Sequence, residues 1–501
     1  MRNKLLARNT FTSLLYQMVT VVCGFILPKL ILIHYGTAVN GLVNSITQFL
    51  GLITYLDLGI SAVVQSALYK PLAEGKTKKI SEIITSARKF FRIIAGILVA
   101  YVIVLIFVYP HFIKDSDFGV NFTTALIIAI SISSFAQYYF GITDQLLLSA
   151  DQKIYIPYVV QIITLIINTL VCSLLMNSGC SIQIVKLTTS MIFLTRPLFY
   201  RFYVDRHYKI NRNAYYDEEP IQQKWNGIAQ HVAAVVIGGT DTVVLTLFST
   251  LQNVSIYGVY YLVINGVQKI FVSATTGYQS FYGDLWAKGE VIKLRKSFGT
   301  LVWTIHTSVV FVFGCVSALI VPFVKIYTYG VNDANYEAPG FALIITLAYA
   351  VYCIRLPYNL MVLAGNHYEQ TQKSYIIATL LNIIISIVTV KMFGLIGVAT
   401  GTLIAMGYQT VWMAHYNDKY LVQWPYKEFV KQVLVDVVDF VPPYLICMTF
   451  SISDYNYAMW ILLALKVAVI WMTWIILVNF VFYRNRIIEI AQHLSKHNTV
   501  N

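Results

Sequence analysis

Apolar runs long enough to cross about 30 Å of hydrocarbon, roughly 20 residues each, recur from Phe11 to Phe482 with only short polar gaps between them. That pattern leaves no room for a large soluble domain. Of 501 residues, 57% are hydrophobic and only 12% are charged, and the mean hydropathy is +0.66; soluble domains carry about 25% charged residues. The chain therefore reads as an all-α polytopic membrane protein. A net charge of +13 could suggest nucleic acid, but the basic residues sit between apolar runs rather than on a folded polar surface. Topology explains them, and no nucleic-acid partner is expected.

Hydropathy and helix breakers place spans near 10–34, 40–69, 90–110, 122–149, 154–176 and 181–204. Eight more follow near 222–248, 254–281, 298–328, 339–364, 371–392, 395–416, 430–451 and 456–482. The basic start, Met1 to Arg8, precedes an apolar stretch too long for a signal-peptide core, which reads as the first span. With the N-terminus inside, one side collects Arg2, Lys4 and Arg8, then Lys70 to Arg92, Arg201 to Arg212, Lys288 to Lys296, Lys419 to Lys431, and Arg484 with Arg486. The other side shows only Lys114 and Lys391. This asymmetry predicts both termini in the cytoplasm and an even number of spans, fourteen.

Two stretches look like copies of each other. Asn40-Gly41 matches Tyr257-Gly258, and the segment Leu68 to Lys76 resembles Phe281 to Gly289. Further on, Leu148 to Gln152 resembles Val362 to Asn366, and the same offset sets Asn168 on Asn382 and Thr188 on Thr402. Spans one to six then pair with seven to twelve as parallel repeats. This predicts a six-helix bundle over 1–210, a second over 211–416, and two additional helices with a cytoplasmic tail over 417–501. Two such bundles are a transporter architecture working by alternating access; a duplication kept for stability alone is the plainer alternative.

The sequence resembles the Wzx-type polysaccharide flippases of the MOP superfamily, relatives of the MATE exporters and of the lipid II flippase. The resemblance lies in Pro28-Lys29, His34-Tyr35-Gly36, Asn40-Gly41, Asp57-Leu58-Gly59-Ile60 and Leu72-Ala73-Glu74-Gly75-Lys76, and it covers essentially the whole chain. Each motif is short, so the combination carries it. The resemblance implies a bacterial plasma-membrane protein that moves undecaprenyl-diphosphate-linked oligosaccharide units to the outer leaflet for capsular or exopolysaccharide assembly. It also implies membrane lipids as surroundings, and a polysaccharide polymerase and other assembly proteins as partners. A diphosphate with a hydrated glycan needs a polar, cationic shelter inside the membrane.

Ionisable residues at span depth are costly and are functional candidates by default. Arg355, beside Pro357 in Ile354-Arg355-Leu356-Pro357, can hold a phosphate with two parallel hydrogen bonds. Lys29 lies beside Pro28, Lys269 follows Asn265-Gly266, and Arg196 precedes Pro197. These four are the substrate-binding candidates; for each, snorkelling to the headgroups or a buried ion pair is the plainer reading. Lys186, Lys325 and Lys466 lie near span ends, where snorkelling is expected. Asp57, Asp241 and Asp144 are candidates for ion coupling or for ion pairs, with Asp284 and Asp436 less deeply placed. The coupling ion, proton or sodium, stays open.

Span glutamines and asparagines such as Gln65, Gln137, Asn168 and Asn382 can bond sugars or neighbouring helices. Tyrosines cluster in the fourth and eighth spans, including Tyr138, Tyr139, Tyr257 and Tyr278, where rings can stack on sugars or sit at the interface. His231 and His306 alone among the histidines fall at span depth, with helix packing as the expected role. The six cysteines form no CxxC and no ligand spacing, no metal site or cofactor is expected, and no Walker A sequence is present. A MATE-like ion-coupled small-molecule exporter is the alternative function. A membrane-embedded polymerase or ligase ranks lower, because the external loops are short and nearly uncharged; no catalytic residues are assigned.

Overall fold

The structure, a computed structural model of the chain, describes residues 2–53, 58–113, 118–221, 239–450 and 455–484. Fourteen helices and no strand are found among the described residues. In chain order they are α1 (Arg2–Gly51), α2 (Leu58–Ala73), α3 (Thr77–Phe112), α4 (Val120–Ala150), α5 (Tyr155–Asn177), α6 (Ile182–His207) and α7 (Gly239–Phe248). Then come α8 (Leu251–Ala287), α9 (Val291–Tyr327), α10 (Pro339–Ala364), α11 (Tyr368–Phe393), α12 (Leu395–Tyr420), α13 (Tyr426–Cys447) and α14 (Tyr457–Phe482). Eight of them are long and apolar enough to cross a membrane by length and composition. Large apolar side chains stand exposed along them, among them Met18, Phe107, Leu174, Val388 and Val481. Water would oppose such exposure and lipid does not, so the protein is a multi-pass membrane protein.

The gap read between the first two spans is not a loop. Helix α1 continues through it and bends at Gly36, whose φ of 84° belongs to the left-handed region where a side chain is strained. Asp333 explains how the helix restarts there. Its carboxylate accepts the Thr37 backbone N–H at 2.6 Å and the Thr37 hydroxyl at 2.5 Å, which caps the new helical segment as an N-terminal carboxylate does. The seventh expected span, 222–248, lies mostly outside the described residues; its end is α7.

Turns on the cytoplasmic side of the expected topology repeat bond for bond. After α2 the backbone bonds Glu74 N–H to Lys70, Gly75 to Leu72, Lys76 to Pro71 and Thr77 to Gly75; after α8 the same four join Lys288 to Asp284, Gly289 to Trp286, Glu290 to Leu285 and Val291 to Gly289. Gly75 and Gly289 sit at φ 66° and 68°, as a left-handed helix cap requires. The turns after α4 and α10 match as well: Asp151 to Leu147, Gln152 to Ser149 and Lys153 to Leu148 correspond to Gly365 to Met361, Asn366 to Leu363 and His367 to Val362. Gln152 and Asn366 take φ 58° and 57°, a rare conformation for a residue with a side chain. These turns set Gly75 against Gly289, one residue away from the register read in the sequence.

By their contacts the residues divide into two compact units, one of residues 1–258 with 330–334 and one of 259–329 with 335–501. In the first, α1 packs on α5, α4 on α6, and α5 on α6, around a core that includes Leu42, Ile46, Ile84, Phe91, Leu126 and Leu147. In the second, α12 packs on both α10 and α11, while α9 carries α10 on one side and the pair α13 and α14 on another. Two glycines on α9 receive tryptophan rings of this C-terminal part. A Cβ at Gly314 would meet Trp471 at 2.3 Å, and one at Gly299 would meet Trp424 at 2.3 Å, so hydrogen at these positions is what lets the rings seat.

Candidate functional site

Within the first unit, Arg196 lines a cavity of about 480 Å³ together with Ser61, Gln65, Gln137, Gln145, Gln161 and Tyr200. That volume is in the range of small-ligand pockets, about 300–1,000 Å³. Its polar lining has a local cause. Helix α4 makes a single π-turn over Gln137–Gly141, which widens the helix by one residue and is a common device at functional sites. Gln137 then donates to Gln145 at 2.8 Å, and both amides border the cavity. Arg196 is half-buried; its Nε donates to Thr164 Oγ1 at 2.7 Å, and its guanidinium lies 3.8 Å from the Phe193 ring centroid. The bond to Thr164 uses Nε, and the residue borders the cavity.

The other expected cations are placed differently. Arg355 is 6% exposed, at the interruption of α10; its Nη1 donates to Gln409 and its guanidinium stacks 4.8 Å from the Tyr352 centroid. Lys29 is half-buried on α1 and Lys269 is exposed on α8. Lys29 and Arg196 belong to the first unit, Lys269 and Arg355 to the second. Lys325 pairs with Glu337 at 2.9 Å, and Lys466 is exposed.

Of the carboxylates, Asp57 lies outside the described residues. Asp241, 3% exposed, accepts the Tyr257 hydroxyl at 3.0 Å. Asp144 has no exposed surface and pairs with Arg212 at 2.9 Å, while Arg212 reaches Asp205 at 2.6 Å. Burial works against the charge of Arg212, yet the two carboxylates hold its pKa above the ordinary arginine value. Asp144 is therefore engaged in an ion pair. No group of three or more His, Cys, Asp or Glu that could hold a metal ion is found among the described residues.

Polar contacts also gather where α1 crosses the start of α8, inside the first unit. Asn40 donates to the Ser255 hydroxyl of α8 at 2.7 Å, and nearby on α1 Ser45 bonds Thr246 of α7 at 2.7 Å and accepts from Tyr109 of α3 at 2.6 Å. The crossing is close because two glycines make room. A Cβ at Gly41 would stand 1.9 Å from the Leu251 carbonyl oxygen, and one at Gly258 would stand 2.5 Å from the Asn44 amide. These are the two glycines matched in the sequence as copies. Small residues and interhelical hydrogen bonds are the usual means of helix association in lipid.

Sequence reasoning named Gln65 and Gln137 but not Gln145, Gln161 or Thr164. Gln145 stands eight residues after Gln137, a spacing that a regular helix would not bring to one bond; the π-turn does so, and nothing in the composition announces it.

No protein-family model matches the chain, and no curated protein matches it in sequence. Solved structures do. The lipid II flippase MurJ in an inward closed conformation aligns at TM-score 0.68 and 16% identity, over 96% of this chain and 99% of its own. An inward-facing multidrug resistance MATE transporter of the MOP superfamily aligns at 0.61 and 12%, over 80% and 93%, and a MATE transporter in a bent conformation at 0.55 and 11%, over 85% and 96%. The chain has their fold. At these identities the likeness speaks for architecture, and the coverage separates the neighbours. The MATE alignments omit 15 to 20% of this chain, whereas the MurJ alignment omits 4%, about 20 residues, far fewer than the 85 residues of 417–501. It therefore extends into the C-terminal pair of helices.

Proposed function

We propose that the protein is a flippase that carries undecaprenyl-diphosphate-linked oligosaccharide units across the bacterial plasma membrane by alternating access, for surface polysaccharide assembly. The observation that carries this reading is the alignment with a lipid II flippase over 96% of the chain, which extends into the C-terminal pair of helices. The polar cavity with Arg196 and its glutamines supports it, because a cargo of phosphates and sugars needs a guanidinium and amides rather than an apolar pocket. In this reading the chain crosses the membrane fourteen times with both termini in the cytoplasm, as the lysine and arginine asymmetry requires. Arg196 and Lys29 of the first unit serve the diphosphate, and the division into 1–210, 211–416 and 417–501 describes two repeats and an addition. The repeated turn geometry at Gly75 and Gly289, and at Gln152 and Asn366, favours the duplication. The protein makes and breaks no covalent bond, and a polymerase acting on the outer leaflet is the expected partner.

Depleting the protein in its own cell tests this. Lipid-linked oligosaccharide should accumulate on the cytoplasmic leaflet while surface polysaccharide is lost. Unchanged polysaccharide with altered tolerance to drugs would favour the MATE-like exporter instead.

A further inference from the structure

The second unit holds a buried ionisable cluster that the substrate reading does not use. On α13 the buried stripe runs through Phe429, Gln432, Val435, Asp436, Asp439 and Pro443, so helical spacing turns both carboxylates inward. Asp436 is 7% exposed and Asp439 is 1% exposed. From α9, His306 has no exposed surface and sets its Nδ1 2.5 Å from Asp436 Oδ2, while Gln432 donates to Asp436 Oδ1 at 3.4 Å. Two atoms of the cluster, His306 Nε2 and Asp439 Oδ1, are buried without a hydrogen-bond partner. Buried polar groups left in that state are costly.

The neighbouring helices bring no second cation among the described residues. Helix α10 contributes Tyr358, within electrostatic range of Asp436, and Arg355, whose guanidinium is taken by Gln409 and Tyr352. The buried polar residues of α12 are Thr402, Gln409, Thr410, Tyr416 and Asn417. Those of α14 are Trp471 and Asn479, and its Lys466 is exposed. On α13 itself Lys431 reaches over the Tyr483 ring at 5.1 Å. On the remaining side Asp436 borders an apolar cavity of about 500 Å³ lined by Val309, Phe313, Val433 and Phe440 among others. The setting is one of low dielectric.

A protonated His306 would balance one carboxylate, and with both carboxylates ionised the cluster would still carry a net negative charge in buried surroundings, where an uncompensated ion is costly. One bound proton makes it neutral, and the cluster is not a metal-holding set. We infer that His306, Asp436 and Asp439 form a proton-binding site in the seam between α9 and α13, with His306 and Asp436 as the fixed pair and Asp439 as the group that takes and releases the proton. The proton lets α13 lie against α9; deprotonation leaves a bare carboxylate in the seam and loosens it. The inference is independent of the cargo.

Infrared difference spectroscopy of the purified full-length protein in lipid, neutral against alkaline, reads the carbonyl stretch of a protonated carboxyl group directly. The expected result is a band that disappears on the alkaline side, is missing in Asp439→Asn and survives in Asp284→Asn, a substitution of an exposed carboxylate paired with Lys288. His306→Gln removes the cation of the pair, so a second protonated carboxyl should join the first and the signal should double. A band that persists in Asp439→Asn, or a His306→Gln spectrum equal to that of the wild type, overturns the assignment. Should Asp439→Asn not accumulate in folded form, Asp439→Glu decides: it keeps a carboxyl group in altered surroundings, so a shifted band supports the site and an unshifted band rejects it.

Discussion

Substituting Gly41 by alanine adds one methyl group where α1 crosses α8, and the structure says what that methyl meets. Its position lies 1.9 Å from the Leu251 carbonyl oxygen and 2.7 Å from the carbonyl carbon, against an ordinary contact limit of about 3.4 Å. Backbone atoms cannot rotate aside as a side-chain end can, so the helices must part by about 1.5 Å. That separation stretches the Asn40–Ser255 bond, now 2.7 Å, beyond hydrogen-bonding distance. Overpacking costs about 1–3 kcal/mol, and the interhelical bond lost within the membrane adds about 0.6 kcal/mol, giving a destabilisation of roughly 2–4 kcal/mol. Thermal unfolding of the purified protein, followed by size-exclusion chromatography of heated samples, measures it. Gly266→Ala and Gly277→Ala are the controls, because a Cβ at either meets nothing within 4 Å; within α8 they should be neutral or stabilising by up to about 1 kcal/mol. If Gly41→Ala melts like these controls, the close crossing is not what holds α1 to α8.

The C-terminal pair should depend on the Trp471 and Gly314 contact: Trp471→Ala empties a fully buried site and should cost about 3–5 kcal/mol, and Gly314→Val should expose α14 to limited proteolysis while α1 to α6 resist it. Asp333→Ala should release the helix that restarts at Thr37, costing about 1–2 kcal/mol, whereas Asp333→Asn, which keeps an acceptor, should cost less; equal unfolding temperatures for both would refute the capping role. Arg196→Ala should abolish complementation of a depleted strain with the protein still present in the membrane, while Arg196→Lys should keep only a part of it, since an ammonium cannot grip a phosphate with two parallel bonds. Full activity of both would remove Arg196 from the substrate path. At the turn after α2 the Lys76 ammonium, bonded to Glu74 at 2.8 Å, holds that carboxyl below its ordinary value, so their bond should survive mild acid and be lost only as pH falls through the lowered pKa, which titration of Glu74 by NMR would show.

Helices and their order were legible because the apolar runs are long and the breakers between them strong. The bend at Gly36 was not, since its cause is Asp333, almost 300 residues further along the chain, and hydropathy has no term for a cap supplied from so far away. The likeness of the turns after α2 and α8 was visible through residues that backbone geometry constrains: Gly75 and Gly289 are glycines because φ is positive there. Side-chain resemblance alone misplaced that pair by one residue, and the bonding pattern of the turns set it right. Charges were easier to find than to interpret. Arg355 and Arg196 both stand next to a span proline or near one, yet Arg355 is closed in by Gln409 and Tyr352 while Arg196 borders a cavity; the difference lies in which helix packs alongside. His306 and Asp436 were each named in the sequence, but not their contact, which joins two helices 130 residues apart. The 429, 432, 436, 439 and 443 periodicity of α13 does place both of its span aspartates on one buried face, and helical spacing alone carries that signal.

Vesicles test directly whether the cargo is a lipid-linked oligosaccharide. Purified protein reconstituted with an undecaprenyl-diphosphate oligosaccharide on the inner leaflet should move the glycan to the outside, where an added lectin or glycosidase reaches it, with Arg196→Ala vesicles remaining at the protein-free level. Glycan that stays protected in wild-type vesicles, alongside transport of a small cationic drug by the same preparation, would contradict the account.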